Sequence, residues 1–192
     1  MAGQNESAGQ LEMRGEGGGM PLTALYAGVA ECYHPEVFRH LLQQEVKRAR
    51  RYSEFFSLVI LSPDESAGEA WANADGRVER LLGLMVENIR QEVRDTDYIG
   101  RCNNHLAVVL LHSSVEETRL VAKRVRQRIG WFNFPSELTG GEPRVTVSLG
   151  GACFPTDASN LSGLLQQAFL SLRMAKEAGG GLAVMAGDVR EG

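Results

Sequence analysis

The residues of this chain that could carry chemistry stand mostly alone. Cys32, Cys102 and Cys153 are widely separated, so no pair has the spacing of a zinc or redox site. Isolated cysteines of this kind most often serve as small buried hydrophobic residues. The histidines, at positions 34, 40, 105 and 112, also lack the spacing of metal ligands. The sequence therefore indicates neither a zinc site nor a thiol-based catalytic centre.

A better-grouped set of charged residues flanks a predicted β-hairpin. Arg94 and Asp97 stand just before it, and Arg124 lies on the next predicted helix, within Ala-Lys-Arg-Val-Arg. A guanidinium group bonds phosphate or a base edge in bidentate fashion, and a carboxylate accepts N–H bonds. The alternative is structural. In that case Arg94 would interact favourably with the dipole of the helix that it ends, and Asp97 would serve as a short polar residue in a turn. Arg124 would belong to a solvated basic face of its helix.

Composition and charge set broad limits on the function. The 192 residues are 43% hydrophobic and 23% charged, which is typical of a globular domain. A net charge of −4 and a pI of about 5.6 give no general attraction to nucleic acid or to an anionic membrane. Residues 1–20 are predicted to be a flexible Gly-rich tail, and 21–188 a single domain. Without a signal peptide or an apolar run long enough to span a bilayer, we expect a cytoplasmic protein.

Short apolar strands alternate with amphipathic helices along the predicted domain. Helices are predicted over about 35–52, 78–95, 115–131 and 160–178, with a possible short helix in 21–33; strands are predicted over 55–61, 143–154 and 182–185, with a hairpin in 95–111. The apolar run 105–111 is predicted to be a central strand. This order predicts an α/β (α+β) sandwich around a mixed sheet, with the β-α-β-β-α-β ferredoxin-like core that polymerase palms and nucleotide cyclases share.

Four stretches of the chain resemble a known family. They are RCNNHLAVVL (101–110), VTVSLGGACFPTD (145–157), QQAFLSLRMAKEAGG (166–180), and VFRHLLQQEVKRARR (37–51) followed by FSLVIL (56–61). Together they resemble the GGDEF family, the diguanylate cyclases of bacterial signal transduction, over residues 34–186. The resemblance implies a nucleotide-cyclase-like fold. It also implies an activity in which two GTP molecules, on two facing domains, are condensed into cyclic di-GMP.

The positions that would hold the metal ions of this family are changed. The resemblance implies magnesium ligands from an Asp at the end of the first strand and from an acidic residue in the hairpin turn. Here Ser62 stands at the strand end. The Gly-Gly-Asp-Glu-Phe signature is replaced by Asn103, Asn104, His105, Leu106 and Ala107. Since magnesium prefers carboxylate oxygens, we expect no magnesium cofactor and no catalysis.

Neighbouring polar residues offer no evident replacement for the lost ligands. Asp64 is expected to be a solvated loop residue. His105 could bind a softer metal but is expected to be a strand-edge or partly buried imidazole. The Asn103-Asn104 turn needs positive φ at both positions, which Asn tolerates. The two Asn side chains would occupy space that Gly-Gly leaves open for the nucleotide phosphates.

The resemblance also locates the substrate contacts of the family. Its guanine-reading residues fall near Ala70 and Glu79, and its triphosphate-binding Lys is matched by Lys176. An ordinary explanation of Lys176 is its favourable position near a helix C-terminus. The Arg that follows in the family has become Gly180.

A product-binding motif of the family is present. Many members carry R-x-x-D five residues before the signature turn, with an Arg added from the next helix. This motif binds cyclic di-GMP and inhibits the enzyme. Arg94, Asp97 and Arg124 match it in register. They predict a catalytically inactive domain that is a cyclic di-GMP receptor.

Two other functions remain open from the sequence. One is a protein-protein interaction module that binds no nucleotide and meets its partner in trans, through the opening helix or the altered hairpin face. The other is a divergent active cyclase that uses Asp64, Glu79 and Lys176. A homodimer is also possible, because an intercalated cyclic di-GMP could link two such domains.

Overall fold

The computed structural model describes residues 31–64, 76–139, 141 and 144–188, of which 76–78 are described by their backbone alone. The predicted tail at 1–20 lies outside these ranges, as does most of the possible helix in 21–33. The helices are α1 (Pro35–Tyr52), α2 (Gly76–Arg90), α3 (Val115–Trp131), α4 (Ser136–Thr139) and α5 (Leu161–Glu177). The strands are β1 (Phe56–Pro63), β2 (Tyr98–Cys102), β3 (His105–Leu111), β4 (Val147–Phe154) and β5 (Ala183–Met185).

The described strands form one mixed sheet in the order β2-β3-β1-β4-β5. β1 pairs antiparallel with β3 and β4, while β5 runs parallel to β4. β3 is therefore an interior strand, as its apolar run predicts. Helices cover both faces of the sheet, with α2 and α3 on one side and α1 and α5 on the other. The predicted α/β sandwich with a β-α-β-β-α-β core is confirmed.

Some element boundaries differ from the prediction. β1 continues two residues further, because Ser62 and Pro63 still pair with β4. α2 ends at Arg90 and is followed by turns rather than by helix to 95. β4 begins at Val147, later than predicted, and the short helix α4 was not predicted.

Close contact between α5 and β4 fixes the position of the last helix. A Cβ at Gly150 would lie 2.1 Å from the backbone N of Leu172 and 2.3 Å from the carbonyl O of Ala168. Only glycine allows the helix backbone to approach the strand this closely. The packing sets where the C-terminal turn of α5 meets the end of β1.

The cysteines behave as the sequence predicts. Cys32 and Cys153 are buried and Cys102 is partly buried. Burial raises the pKa of Cys32 to about 11 and also raises the pKa of the other two thiols. All three thiols are therefore protonated near neutral pH, and a protonated thiol is a weak nucleophile. Among the described helices, none combines the length and the apolar character needed to cross a membrane.

Candidate functional site

The ammonium group of Lys176 lies at the end of β1, where the resemblance predicts a metal ligand. Ser62 is buried, and its Oγ accepts a hydrogen bond of 2.9 Å from Lys176 Nζ. Lys176 also donates to the carbonyl O of Pro63, at 3.2 Å. The lysine therefore makes specific contacts with β1 in addition to any interaction with its helix dipole.

Asp64 is not the solvated loop residue that the sequence predicts. Its Oδ1 accepts a bond of 2.6 Å from Ser148 Oγ, and its Oδ2 accepts a bond of 2.8 Å from the backbone N of Gly181. Gly180 has a φ of 75°, and a Cβ there would lie 2.9 Å from Asp64 Cγ. The carboxylate thus ties β1 to β4 and to the turn after α5, in a space that a larger residue at 180 would fill.

His105 is a partly buried imidazole at the start of β3, as expected. It pairs with Cys102 across the turn, and its ring centroid lies 5.6 Å from that of Phe169. Its Nδ1 is buried and has no hydrogen-bond partner among the described residues. Burial lowers the pKa of His105, and the charge of Lys176 lowers it further. The imidazole is therefore neutral at pH 7.

The hairpin turn differs in one respect from the expected geometry. Of the two turn residues, only Asn103 has a positive φ, of 53°. Both Asn103 and Asn104 are exposed. The prediction of positive φ at both positions is wrong, although the two-residue turn itself is confirmed.

The residues at this end of the sheet do not fit a magnesium ion. Magnesium requires near-octahedral oxygen ligands, usually with one or two carboxylates. Ser62 accepts a hydrogen bond from an ammonium group whose charge would repel a metal ion, and Asp64, although it retains lone pairs, is held by Ser148 and Gly181. Within the described ranges, no group of three or more His, Cys, Asp or Glu residues could hold a metal ion.

Glu79, which the resemblance places near the guanine-reading position, already has a partner in the structure. Glu79 Oε1 lies 3.0 Å from Arg101 Nη1, in an ion pair between α2 and β2. A base at this position would compete with Arg101 for the carboxylate. Ala70, the second predicted position, lies outside the described residues.

Arg94, Asp97 and Arg124 come together in the structure as predicted. All three line one cavity of about 220 Å³. The cavity lies between the segment after α2, the end of β3 and the first turns of α3. The spacing of the sequence motif therefore corresponds to proximity in space.

Asp97 has a structural task within this group. It is 5% exposed, and its carboxylate accepts from the backbone N of Arg94 at 2.8 Å and of Leu111 at 3.0 Å. These bonds hold the segment after α2 against the end of β3, and they fix the backbone that carries Arg94. The predicted role as an acceptor for guanine would use the remaining lone pairs of the same oxygens.

The two arginines differ in their present partners. Among the described residues, no carboxylate lies within ion-pair distance of Arg94, and its Nη1 reaches the carbonyl O of Leu111 only at 3.5 Å. Arg124 is paired with Glu92, with its Nε 3.2 Å from Oε2 and its Nη2 donating to the carbonyl O at 3.0 Å. Glu92 also pairs with Arg128, at 3.1 Å. Sequence reasoning missed Glu92, because nothing in the motif marks a residue before Arg94.

The mixed sheet with helices on both faces defines a domain with a β-α-β-β-α-β core, as the resemblance predicts. The sequence profile described as "Diguanylate cyclase, GGDEF domain" matches residues 33–181. The chain therefore belongs to the GGDEF family.

Individual relatives and solved structures agree with this assignment. The uncharacterised protein YhcK of Bacillus subtilis (strain 168) is 30% identical over 129 residues, which are 65% of this chain and 34% of that protein. The cyclic di-GMP phosphodiesterase NbdA of Pseudomonas aeruginosa is 23% identical over 159 residues, which are 81% of this chain and 20% of that protein. The chain thus spans about a third of the length of YhcK and about a fifth of the length of NbdA.

A solved structure shows the same fold at lower identity. The GGDEF domain of DgcB from Caulobacter crescentus, in complex with c-di-GMP, superposes with a TM-score of 0.72 at 16% identity. The match covers 85% of this chain and 96% of that one. The chain is thus a GGDEF domain related to proteins of cyclic di-GMP metabolism.

Proposed function

We propose that this GGDEF domain is a cyclic di-GMP receptor that does not synthesise the dinucleotide. The observation that carries the proposal is the placement of Arg94, Asp97 and Arg124 around one cavity. A domain of the same fold, that of DgcB, has been solved in complex with c-di-GMP. The alternative interpretation, in which each residue serves only its own helix or turn, does not require the three to converge.

The chemistry of the cavity suits this ligand. Cyclic di-GMP carries two phosphates and two guanines. Among the described residues no carboxylate forms an ion pair with Arg94, although Glu117 lines the same cavity, so the guanidinium can bond a phosphate or the O6/N7 edge of guanine in bidentate fashion. Arg124 retains N–H groups beyond those that bond Glu92. A phosphate at Arg124 would compete with the Glu92 carboxylate.

The proposed lack of catalysis rests on the other end of the sheet. Phosphoryl transfer depends on positioned metal ions that neutralise developing charge. Here an ammonium group lies against Ser62, and Asp64 is bonded to Ser148 and Gly181. A positive charge beside Ser62 disfavours a metal ion at this position, and this supports the proposed lack of catalysis.

Calorimetric titration with cyclic di-GMP tests the receptor function. We expect micromolar or tighter binding that Arg94→Ala abolishes. Arg173→Ala is the matched control, because Arg173 is an exposed arginine on α5, and we expect it to bind like the wild type. A flat titration of the wild-type protein at high concentration would refute the receptor function.

Incubation with GTP and magnesium or manganese, followed by chromatography, tests the lack of catalysis. The assay should include Arg94→Ala, in which product bound at the receptor site cannot hide turnover. We expect no cyclic di-GMP from either protein. Turnover that disappears in Asp64→Ala would show a divergent active cyclase instead.

A further inference from the structure

We propose that the bound dinucleotide extends past Arg124 into an adjoining cavity, where one guanine stacks on the indole of Trp131. This inference rests on the proposed receptor function and adds a specific contact to it. The juxtaposition that carries it is an exposed tryptophan and two arginines in a second cavity that shares a wall with the first.

The size of the first cavity shows that the ligand must extend beyond it. Sites for small molecules usually measure about 300–1,000 Å³, whereas the cavity at Arg94 and Asp97 measures about 220 Å³. A dinucleotide with two purines cannot be enclosed in so small a space. Part of the ligand would therefore lie over the neighbouring surface.

The adjoining cavity provides that surface. It measures about 400 Å³ and is lined by residues of α3 and of the α2 end, among them Asn88, Arg128 and Trp131. Glu92 and Arg124 line both cavities. A ligand held at Arg94 can thus pass over the Glu92–Arg124 pair and stay in contact with protein.

Trp131 has the position and exposure that a base platform requires. It is the last residue of α3 and is 74% exposed. Arg124 lies seven residues earlier, about two helical turns and about 10 Å away on the same face. Arg128 lies between them and pairs with Glu92.

The chemistry of this surface favours a nucleobase. Aromatic side chains stack on bases, and arginines add cation–π and hydrogen-bonding contacts. A large exposed indole gains little from its present surroundings, so stacking would remove apolar surface from water. Loss of one such stacked base typically weakens binding about tenfold or more.

A protein with a single tryptophan provides the test. Trp71→Phe removes the other tryptophan of the chain and leaves Trp131 as the only indole reporter. We expect cyclic di-GMP to quench its fluorescence over the same concentration range in which calorimetry detects binding. Trp131→Ala should weaken binding about tenfold or more, and Trp131→Phe should retain most of the affinity. Tyr52→Ala, which removes an exposed aromatic residue on α1, should leave it unchanged.

The outcomes separate this inference from the receptor function. Binding that Arg94→Ala abolishes but Trp131→Ala leaves unchanged, without quenching, would refute the stacking and keep the receptor function. If neither calorimetry nor fluorescence detects binding of cyclic di-GMP, both the stacking and the receptor function are refuted. If Trp131→Ala instead altered sedimentation without ligand and left the affinity unchanged, the surface would be a contact between protein chains, and base stacking would be wrong.

Discussion

Replacement of Asp97 by alanine should destabilise the fold, and not only remove a ligand contact. The carboxylate accepts hydrogen bonds from two backbone N–H groups, those of Arg94 and Leu111. Leaving a buried donor unpaired costs about 1–3 kcal/mol. Because Arg94 is exposed, water can partly replace the lost acceptor, so the lower half of the range applies. We therefore expect a loss of about 2–4 kcal/mol in the free energy of unfolding.

Urea denaturation followed by circular dichroism measures this loss. With a slope of about 2 kcal/mol per molar urea, the midpoint should fall by about 1–2 M. Asp95→Ala is the matched control, because Asp95 is exposed in the same turn, and its effect should stay within about 0.5 kcal/mol. Equal midpoints for Asp97→Ala and the wild type would refute the structural role of the carboxylate. If the loss is found, weaker ligand binding in this variant cannot be assigned to a lost contact, which is why Arg94→Ala is the test of the receptor site.

Further substitutions have predictable effects on stability, protonation and binding. Gly150→Ala should destabilise the protein by about 3 kcal/mol or more, because the new Cβ would meet the backbone of α5. Gly130→Ala should instead stabilise it by about 0.5–1 kcal/mol, because the space around a Cβ at this position in α3 is open. Equal urea midpoints for the two variants would contradict the packing argument. Since the folded-state pKa of His105 is lowered, the unfolded chain binds the proton first, so the free energy of unfolding should fall as the pH drops below about 6.5 and should fall less in His105→Gln. NMR titration of Lys176→Met should show a higher pKa for His105, and an unchanged value would exclude the charge effect. Glu92→Gln should tighten cyclic di-GMP binding by up to about fivefold, since it removes a competing carboxylate worth about 0.2–1 kcal/mol. Weaker binding in calorimetry would show that Glu92 instead orients Arg124.

Local signals in the sequence predict much of the fold. Pro35 lies at the start of α1, and Ser114 forms a capping box with Glu117 at the start of α3. Both helices span the predicted residues. Sequence periodicity and end signals fix such elements because the interactions that form them lie within a few residues.

Contacts between distant residues could not be predicted in the same way. Lys176 and Ser62 are 114 residues apart, and Asp64 is 117 residues from Gly181. A carboxylate after a strand looks solvated in the sequence, and only the tertiary structure shows the donors that approach it. The prediction for Asp64 failed for this reason.

The candidate receptor site was predictable in its members but not in their roles. Motif register identified Arg94, Asp97 and Arg124, and the structure places them around one cavity. Register carries no information on which groups each side chain already bonds. The pairing of Arg124 with Glu92 and the backbone bonds of Asp97 required the fold.

The altered turn and the proposed receptor site lie at opposite ends of β3. His105 begins this strand beside the altered turn, and Leu111 ends it beside the cavity at Arg94. Seven residues at about 3.3 Å each place these ends about 20 Å apart. Interactions between separate sites beyond about 10 Å are usually independent. Changes of residues at the turn therefore need not disturb the arginines, and an Arg94→Ala protein should retain the pKa of His105 that the wild type shows.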